Sequence, residues 1–290
     1  MPNVTQALTA AAARLHAACV EAPRREARLL LAHALGCQPT SLPDEAEAPA
    51  LACFESLVAR REQREPLALI TGTRGFWTLE LEVSAETLIP RPDSETLIEA
   101  AIAAFPNPKS VQTILDLGTG TGCLLLAALV HFHGAFGLGL DLSPAAAALA
   151  ARNAAANGLA SRTAFLAGNW SAPLALQADL ILCNPPYIPT ADIDGLMPEV
   201  ARFEPRSALD GGADGLGAYR LLMRQLPDLL AEGGVAILEL GVGQAGSVVE
   251  LAENAKFGDI SLRPDLAGVP RALILGDPRK KPFGIAGARR

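Results

Sequence analysis

Asp116-Leu117-Gly118-Thr119-Gly120-Thr121-Gly122 decides the fold. An apolar run precedes it and helix-forming residues follow it, so it reads as the turn from a buried strand into a helix. Glycines let such a turn bend sharply and bring backbone close to a ligand, while the first amides of the helix point at whatever is bound. The spacing is GxGxG, one residue away from the GxGxxG that marks dinucleotide-binding turns.

Outward from this turn, strand-like and helix-like segments alternate. Strands are expected at 113–117, 135–140, 162–167, 178–183, 234–240, 259–262 and 271–275, and helices at 122–132, 144–157, 215–231 and 243–255. The alternation with short loops predicts an α/β fold, a doubly wound, seven-stranded, mostly parallel sheet whose ligands sit beyond the carboxyl ends of the strands. The last two strands read as a hairpin. Toward the N-terminus, residues 4–65 are rich in Ala, Leu, Arg and Glu at helical spacing, with Leu29, Leu30, Leu31 and Leu35 on one face. Thr5 is a candidate cap of the first helix, and a later helix is expected at 50–63. Residues 73–83 alternate as a hairpin would, and a helix is expected over 93–104 with Asp93 or Ser94 at its start. The expected organisation is a helical domain (1–71), a hairpin linker (72–90), an α/β domain (91–278) and a basic tail (279–290).

Composition narrows the function classes. Half of the 290 residues are hydrophobic, enough for a sizeable core, and the net charge is -7. An acidic chain is a poor wrapper of phosphates, so no direct nucleic-acid contact is expected. The five cysteines are scattered without CxxC spacing, which suits reduced thiols in a cytoplasmic protein. His131 and His133 lie two apart on an expected helix and share no face, so no metal site is expected. The apolar runs stop short of a membrane span, no signal peptide is evident, and a monomer is expected.

Three further stretches carry chemistry. Asp141 ends the next strand, in Gly139-Leu140-Asp141-Leu142-Ser143-Pro144. A carboxylate there matches the two hydroxyls of a ribose, and Ser143 before Pro144 supplies the helix cap. Trp170 follows the third strand, where its ring can cover an adenine or pack in the core. Trp77, in the hairpin, reads as packing between domains. The fourth strand runs into Asn184-Pro185-Pro186-Tyr187. Two prolines fix φ and remove backbone donors, leaving a stiff loop that exposes carbonyls. The Asn184 side-chain oxygen and the Pro185 carbonyl offer one acceptor each to a planar NH2 group, and Tyr187 offers a flat face. Such a site suits methyl transfer to an amide or amino nitrogen.

With these residues assembled, the chain resembles class I S-adenosylmethionine-dependent methyltransferases of Rossmann-like fold, and more closely the HemK/PrmC family. The resemblance takes in Glu65-Pro66, Ile70-Thr71-Gly72, Phe76-Trp77, the stretch from Leu88 to Glu95, Asp116 to Gly122, Asp141, Trp170, Asn184 to Tyr187, Glu204-Pro205, and the glycine-rich segment from Ala208 to Leu216. It implies methyl transfer from S-adenosylmethionine to the glutamine of the Gly-Gly-Gln loop in peptide chain release factors. By it, Gly118, Thr119, Gly120, Thr121 and Gly122 line the cofactor with Asp141, Trp170 and Asn184. Asn184, Pro185, Pro186 and Tyr187 bind the substrate amide, with Asn184, Pro185 and Tyr187 acting in catalysis. The N-terminal helices dock the release factor. Two departures stand out: Asn169 occupies the place of an Asp, which implies weaker cofactor binding, and Ser94 stands where Thr is usual. Another protein glutamine, DNA adenine, or a nicotinamide-dependent dehydrogenase remain the alternatives; the last leaves Asn184 to Tyr187 unexplained.

Overall fold

Burial of the central strands on both faces sets the architecture. The computed structural model describes residues 3–170 and 176–277; the expected basic tail at 279–290 lies outside them. In chain order the helices are α1 (Val4–Ala17), α2 (Pro23–Leu35), α3 (Ala48–Glu62), α4 (Leu67–Thr71), α5 (Glu95–Ala104), α6 (Cys123–His131), α7 (Pro144–Ala156), α8 (Pro198–Phe203), α9 (Gly217–Leu229) and α10 (Ala245–Asn254). The strands are β1 (Thr73–Phe76), β2 (Leu79–Glu82), β3 (Thr113–Leu117), β4 (Phe136–Asp141), β5 (Thr163–Ala167), β6 (Ala178–Cys183), β7 (Leu230–Glu239), β8 (Ile260–Pro264) and β9 (Pro270–Gly276). The described residues fall into two units, one of residues 3–73 with 196–203, the other of 74–170, 176–195 and 204–277.

The first unit is helical. Leu15, Leu30, Leu31, Phe54 and Val58 form its core, so the apolar faces of α1, α2 and α3 meet one another. Asn3, not Thr5, caps α1: its side-chain oxygen accepts the amide of Gln6 at 3.2 Å. Thr5 lies inside the helix, where its carbonyl accepts from the Thr9 hydroxyl. The segment 196–203 is held here by charge. Glu199 accepts from Arg64 through both carboxylate oxygens, each at 2.7 Å, and from Arg61 at 2.9 Å.

The second unit carries a seven-stranded sheet in the order β5-β4-β3-β6-β7-β9-β8, parallel except for β9, which runs antiparallel between β7 and β8. Successive side chains of a strand point to opposite faces. Ile114, Leu180, Leu182 and Ile237 therefore join one core with α5 and α6. Leu115, Leu117, Ile181, Ala236 and Leu238 join another with α9 and α10. Both faces are buried, which is why these strands read as nearly unbroken apolar runs. The same alternation carries Asp116, Asn184 and Glu239 to the α5–α6 face at the carboxyl ends of three adjacent strands. β1 and β2 form a separate hairpin. Glu95 accepts the Trp77 amide at its turn, and the Trp77 ring packs against the core of this same unit.

β7 begins at Leu230, four residues before the expected 234, and α9 ends at Leu229. Pro227 removes one donor from the last turn of α9, the Leu230 amide closes that turn on the Leu226 carbonyl, and the chain passes straight from helix into strand.

Candidate active site

The turn after β3 is docked onto β4. Gly118 and Thr119 donate their amides to the Leu140 carbonyl at 2.8 and 3.0 Å. Gly118 has φ +76, and a Cβ there would lie 2.9 Å from Trp170 Cζ2, so this position takes glycine for its backbone and for the ring beside it. Asp141, at the end of β4, accepts the Gly120 amide through Oδ2 at 2.8 Å and the Ser143 amide through Oδ1 at 2.9 Å. Ser143 caps α7, its hydroxyl oxygen accepting from Ala146. Each Asp141 oxygen keeps a second lone pair, and the side chain faces the cavity.

That cavity, of about 340 Å³, opens at the carboxyl ends of the parallel strands. Gly118, Thr119, Gly120, Thr121, Asp141, Trp170, Asn184 and Pro186 all line it. Gly122, Pro185 and Tyr187 do not: Gly122 starts α6, Pro185 is buried, and Tyr187 turns its hydroxyl to Glu239 at 3.2 Å. Thr87, Leu88, Leu142, Pro205 and Ala208 also line the cavity without having been singled out from sequence as ligand contacts. Leu142 is 65% exposed, an apolar side chain open to the cavity with little cover of its own.

Several buried polar atoms here lack a partner. They are Asp116 Oδ1, Thr87 Oγ1 and Thr121 Oγ1. Burial pushes the Asp116 carboxyl up to about 7, repulsion from Asp141 adds to this, and the Thr119 hydroxyl and a backbone amide oppose it. Thr87 and Thr121 line the cavity, where an unpaired hydroxyl is costly unless a ligand satisfies it; Asp116 does not line it.

The loop after β6 is braced from three sides. The Asn184 side-chain NH2 donates to Ser94 Oγ at 3.4 Å, and the Ser94 hydroxyl donates to Glu239 Oε2. Ser94 therefore does not cap α5. Gln244 donates to the Tyr187 carbonyl at 2.8 Å. The Ile188 amide donates to the Leu209 carbonyl, and the Gly211 amide donates to the Ile188 carbonyl, a short parallel pairing that explains the glycine-rich segment. Gly215 (φ +74) belongs to it, and a Cβ there would run into the Tyr187 carbonyl. Arg91 is held by Glu204, whose carboxylate is buried.

A turn of glycines after the first strand of a parallel sheet, an acidic residue ending the next and Asn-Pro-Pro-Tyr ending the fourth together define a methyltransferase. Residues 94–197 match the Methyltransferase small domain, and residues 6–72 match the PrmC N-terminal domain. The chain is 50% identical over 270 residues to the release factor glutamine methyltransferase of Rhodospirillum rubrum, covering 90% of this chain and 81% of that one. It is 45% identical over 275 residues to the enzyme of the same name from Cereibacter sphaeroides, covering 93% and 97%. The chain belongs to the release factor glutamine methyltransferase family. The hMettl16 catalytic domain, solved with an RNA hairpin, shares the fold at TM-score 0.57 and 15% identity, over 80% of this chain and 82% of that one. No helix among the described residues is long and apolar enough to cross a membrane.

Proposed function

We propose that this chain transfers a methyl group from S-adenosylmethionine to the side-chain amide nitrogen of the glutamine in the Gly-Gly-Gln loop of peptide chain release factors. The observation that carries the reading is the Asn184 side chain at the cavity wall, its NH2 engaged by Ser94 and its oxygen left for a substrate.

The residues present fit the cofactor. Asp141 has lone pairs for two ribose hydroxyls, Trp170 lies over Gly118 at the adenine end, and the unpaired Thr87 and Thr121 hydroxyls of the lining suit a polar tail. Bound there, S-adenosylmethionine supplies a methyl on a positively charged sulfur. Gly118 to Thr121 hold it through backbone, and Asn169 beside Trp170 has a side-chain oxygen where an Asp is usual.

An amide nitrogen is a poor nucleophile because its lone pair is delocalised. Asn184 Oδ1 and the Pro185 carbonyl each accept one of its hydrogens and orient the nitrogen toward the methyl. Pro186 keeps the loop stiff, and Tyr187, anchored on Glu239, holds the end of the loop in place. Positioning of this kind supplies much of the rate. Positive charge arrives on the amide with the methyl and leaves as a proton to water, so no strong base is needed before attack. Residues 1–71 provide the docking surface for the release factor, and 91–278 the chemistry, joined by the hairpin at 72–90.

Asn184→Ala tests the reading. The variant is expected to bind S-adenosylhomocysteine with little loss while methyl transfer to a release factor nearly vanishes; wild-type turnover would overturn the role of Asn184.

A further inference from the structure

We infer that Glu239 is a positioning residue: through the Ser94 hydroxyl it decides which end of the Asn184 side-chain amide faces the cavity. This rests on the reading of Asn184 Oδ1 as the acceptor for the substrate amide.

Asparagine has two nearly isosteric ends, one that accepts and one that donates. The wrong end toward the substrate would set NH2 against NH2. Something must therefore choose, and rigid prolines cannot, because they fix the backbone and not the side-chain flip.

The choice is made by counting protons. Glu239 closes β7 with its side chain on the α5–α6 face, 1% exposed. As a carboxylate it only accepts. Oε2 takes the Ser94 hydroxyl proton and Oε1 takes the Tyr187 hydroxyl proton. A serine hydroxyl has one proton. With that proton committed to Glu239, Ser94 Oγ has only lone pairs to offer Asn184. It takes the Nδ2 hydrogen, and Oδ1 is left for the cavity. Thus a single buried carboxylate holds both ends of the Asn184–Tyr187 motif, Tyr187 directly and Asn184 at one remove. Its backbone carbonyl is fixed too, accepting from the buried Tyr219 hydroxyl at 2.8 Å. Burial raises the Glu239 carboxyl, with Asp93 adding to the rise, while Ser94, the Arg271 cation and Tyr187 favour the charged form. Glu239 itself does not line the cavity.

The test uses the full chain, a purified release factor and labelled S-adenosylmethionine, with Glu239→Met, Ser94→Ala, Ser94→Thr, the double variant Glu239→Met/Ser94→Ala, and Asn184→Ala. Methionine fills the space without accepting strongly, so Ser94 is free to turn its proton toward Asn184. Glu239→Met and Ser94→Ala are each expected to lower kcat at least ~10-fold, the scale of a misplaced reacting group, with S-adenosylhomocysteine affinity within about twofold of wild type. Ser94→Thr keeps the hydroxyl and is expected to retain kcat within about threefold. The double variant is expected to be no worse than Glu239→Met, because Glu239 reaches Asn184 only through Ser94 and its direct bond to Tyr187 is already lost in that single variant.

Wild-type kcat in Glu239→Met or Ser94→Ala overturns the inference, as do losses that multiply in the double variant or that appear in cofactor affinity instead of kcat. Should Glu239→Met fail to fold, Ser94→Ala against Ser94→Thr decides alone. An inactive Asn184→Ala beside fully active Glu239 and Ser94 variants would sink this inference and leave the Asn184 reading standing. An active Asn184→Ala would sink that reading first.

Discussion

The Asp141 carboxylate accepts the Gly120 amide at 2.8 Å, so the residue that ends β4 also fixes the turn that follows β3. Its other oxygen accepts from Ser143 at the start of the next turn. One side chain thus shapes two of the loops that form the cavity.

Asp141→Ala is accordingly expected to do two things. Calorimetric titration with S-adenosylhomocysteine should show affinity falling at least ~10-fold, the loss of a charged acceptor to a ligand hydroxyl pair. Thermal unfolding of the ligand-free protein should show a cost of about 1–2 kcal/mol, because two amides lose their acceptor. Unaltered affinity would remove the ribose assignment.

Asp116 makes the ligand-free protein sensitive to pH. Its carboxyl is pushed up to about 7 by burial, above the ordinary range near 3.8. The folded state therefore holds this proton more tightly than the unfolded chain does. The resulting stabilisation is complete below about pH 4 and is lost as pH rises to about 7, with no further change beyond. Asp116→Asn keeps an acceptor for Thr119 and cannot ionise. Melting temperatures from pH 5 to 9 should diverge, the variant gaining on the wild type as pH rises; parallel curves would contradict the account.

Gly118→Ala places a Cβ against Trp170 at a left-handed φ. The ring must shift or the turn must open. Either way the quench of Trp170 fluorescence by S-adenosylhomocysteine should weaken at least ~10-fold in apparent affinity, with a stability cost of about 1–3 kcal/mol from the strained backbone. Wild-type binding would show that the ring and the turn do not share a ligand.

Glu199 is clasped by Arg61 and Arg64, and Arg61 is also held by Glu26. Removing the acid leaves Arg61, whose side chain is 6% exposed, with one carboxylate partner instead of two. Glu199→Ala is expected to destabilise the helical unit by about 2 kcal/mol, read by urea unfolding followed by helix signal. A change within error would mean that water replaces the carboxylate.

The sheet was legible because its central strands are buried on both faces and bounded by glycine or proline. Boundaries drifted where two periods overlap, as at Leu230, where an apolar helix face runs directly into a strand. α8 escaped notice because six residues are too few to establish a helical period. Thr5 is the local candidate for a cap, but Asn3 stands one residue before the helix and its side chain accepts the Gln6 amide. At the site, Gly118, Asp141 and Asn184 announced themselves through backbone chemistry within a few residues. Glu239 did not. Its partners Ser94 and Tyr187 lie 145 and 52 residues away, and an acid closing a strand reads as the solvent boundary. The one local signal was the period-two alternation of β7, which puts Glu239 on the inward face with Ile237.

Methyl transfer from labelled S-adenosylmethionine to a purified release factor decides whether the Gly-Gly-Gln glutamine is the acceptor. A factor with its Gly-Gly-Gln glutamine substituted and a DNA duplex serve as the other acceptors. Label on the intact factor alone, placed by mass spectrometry on that glutamine, is the predicted result. Label on the substituted factor or on DNA, or none on any acceptor while the cofactor is bound, would contradict it.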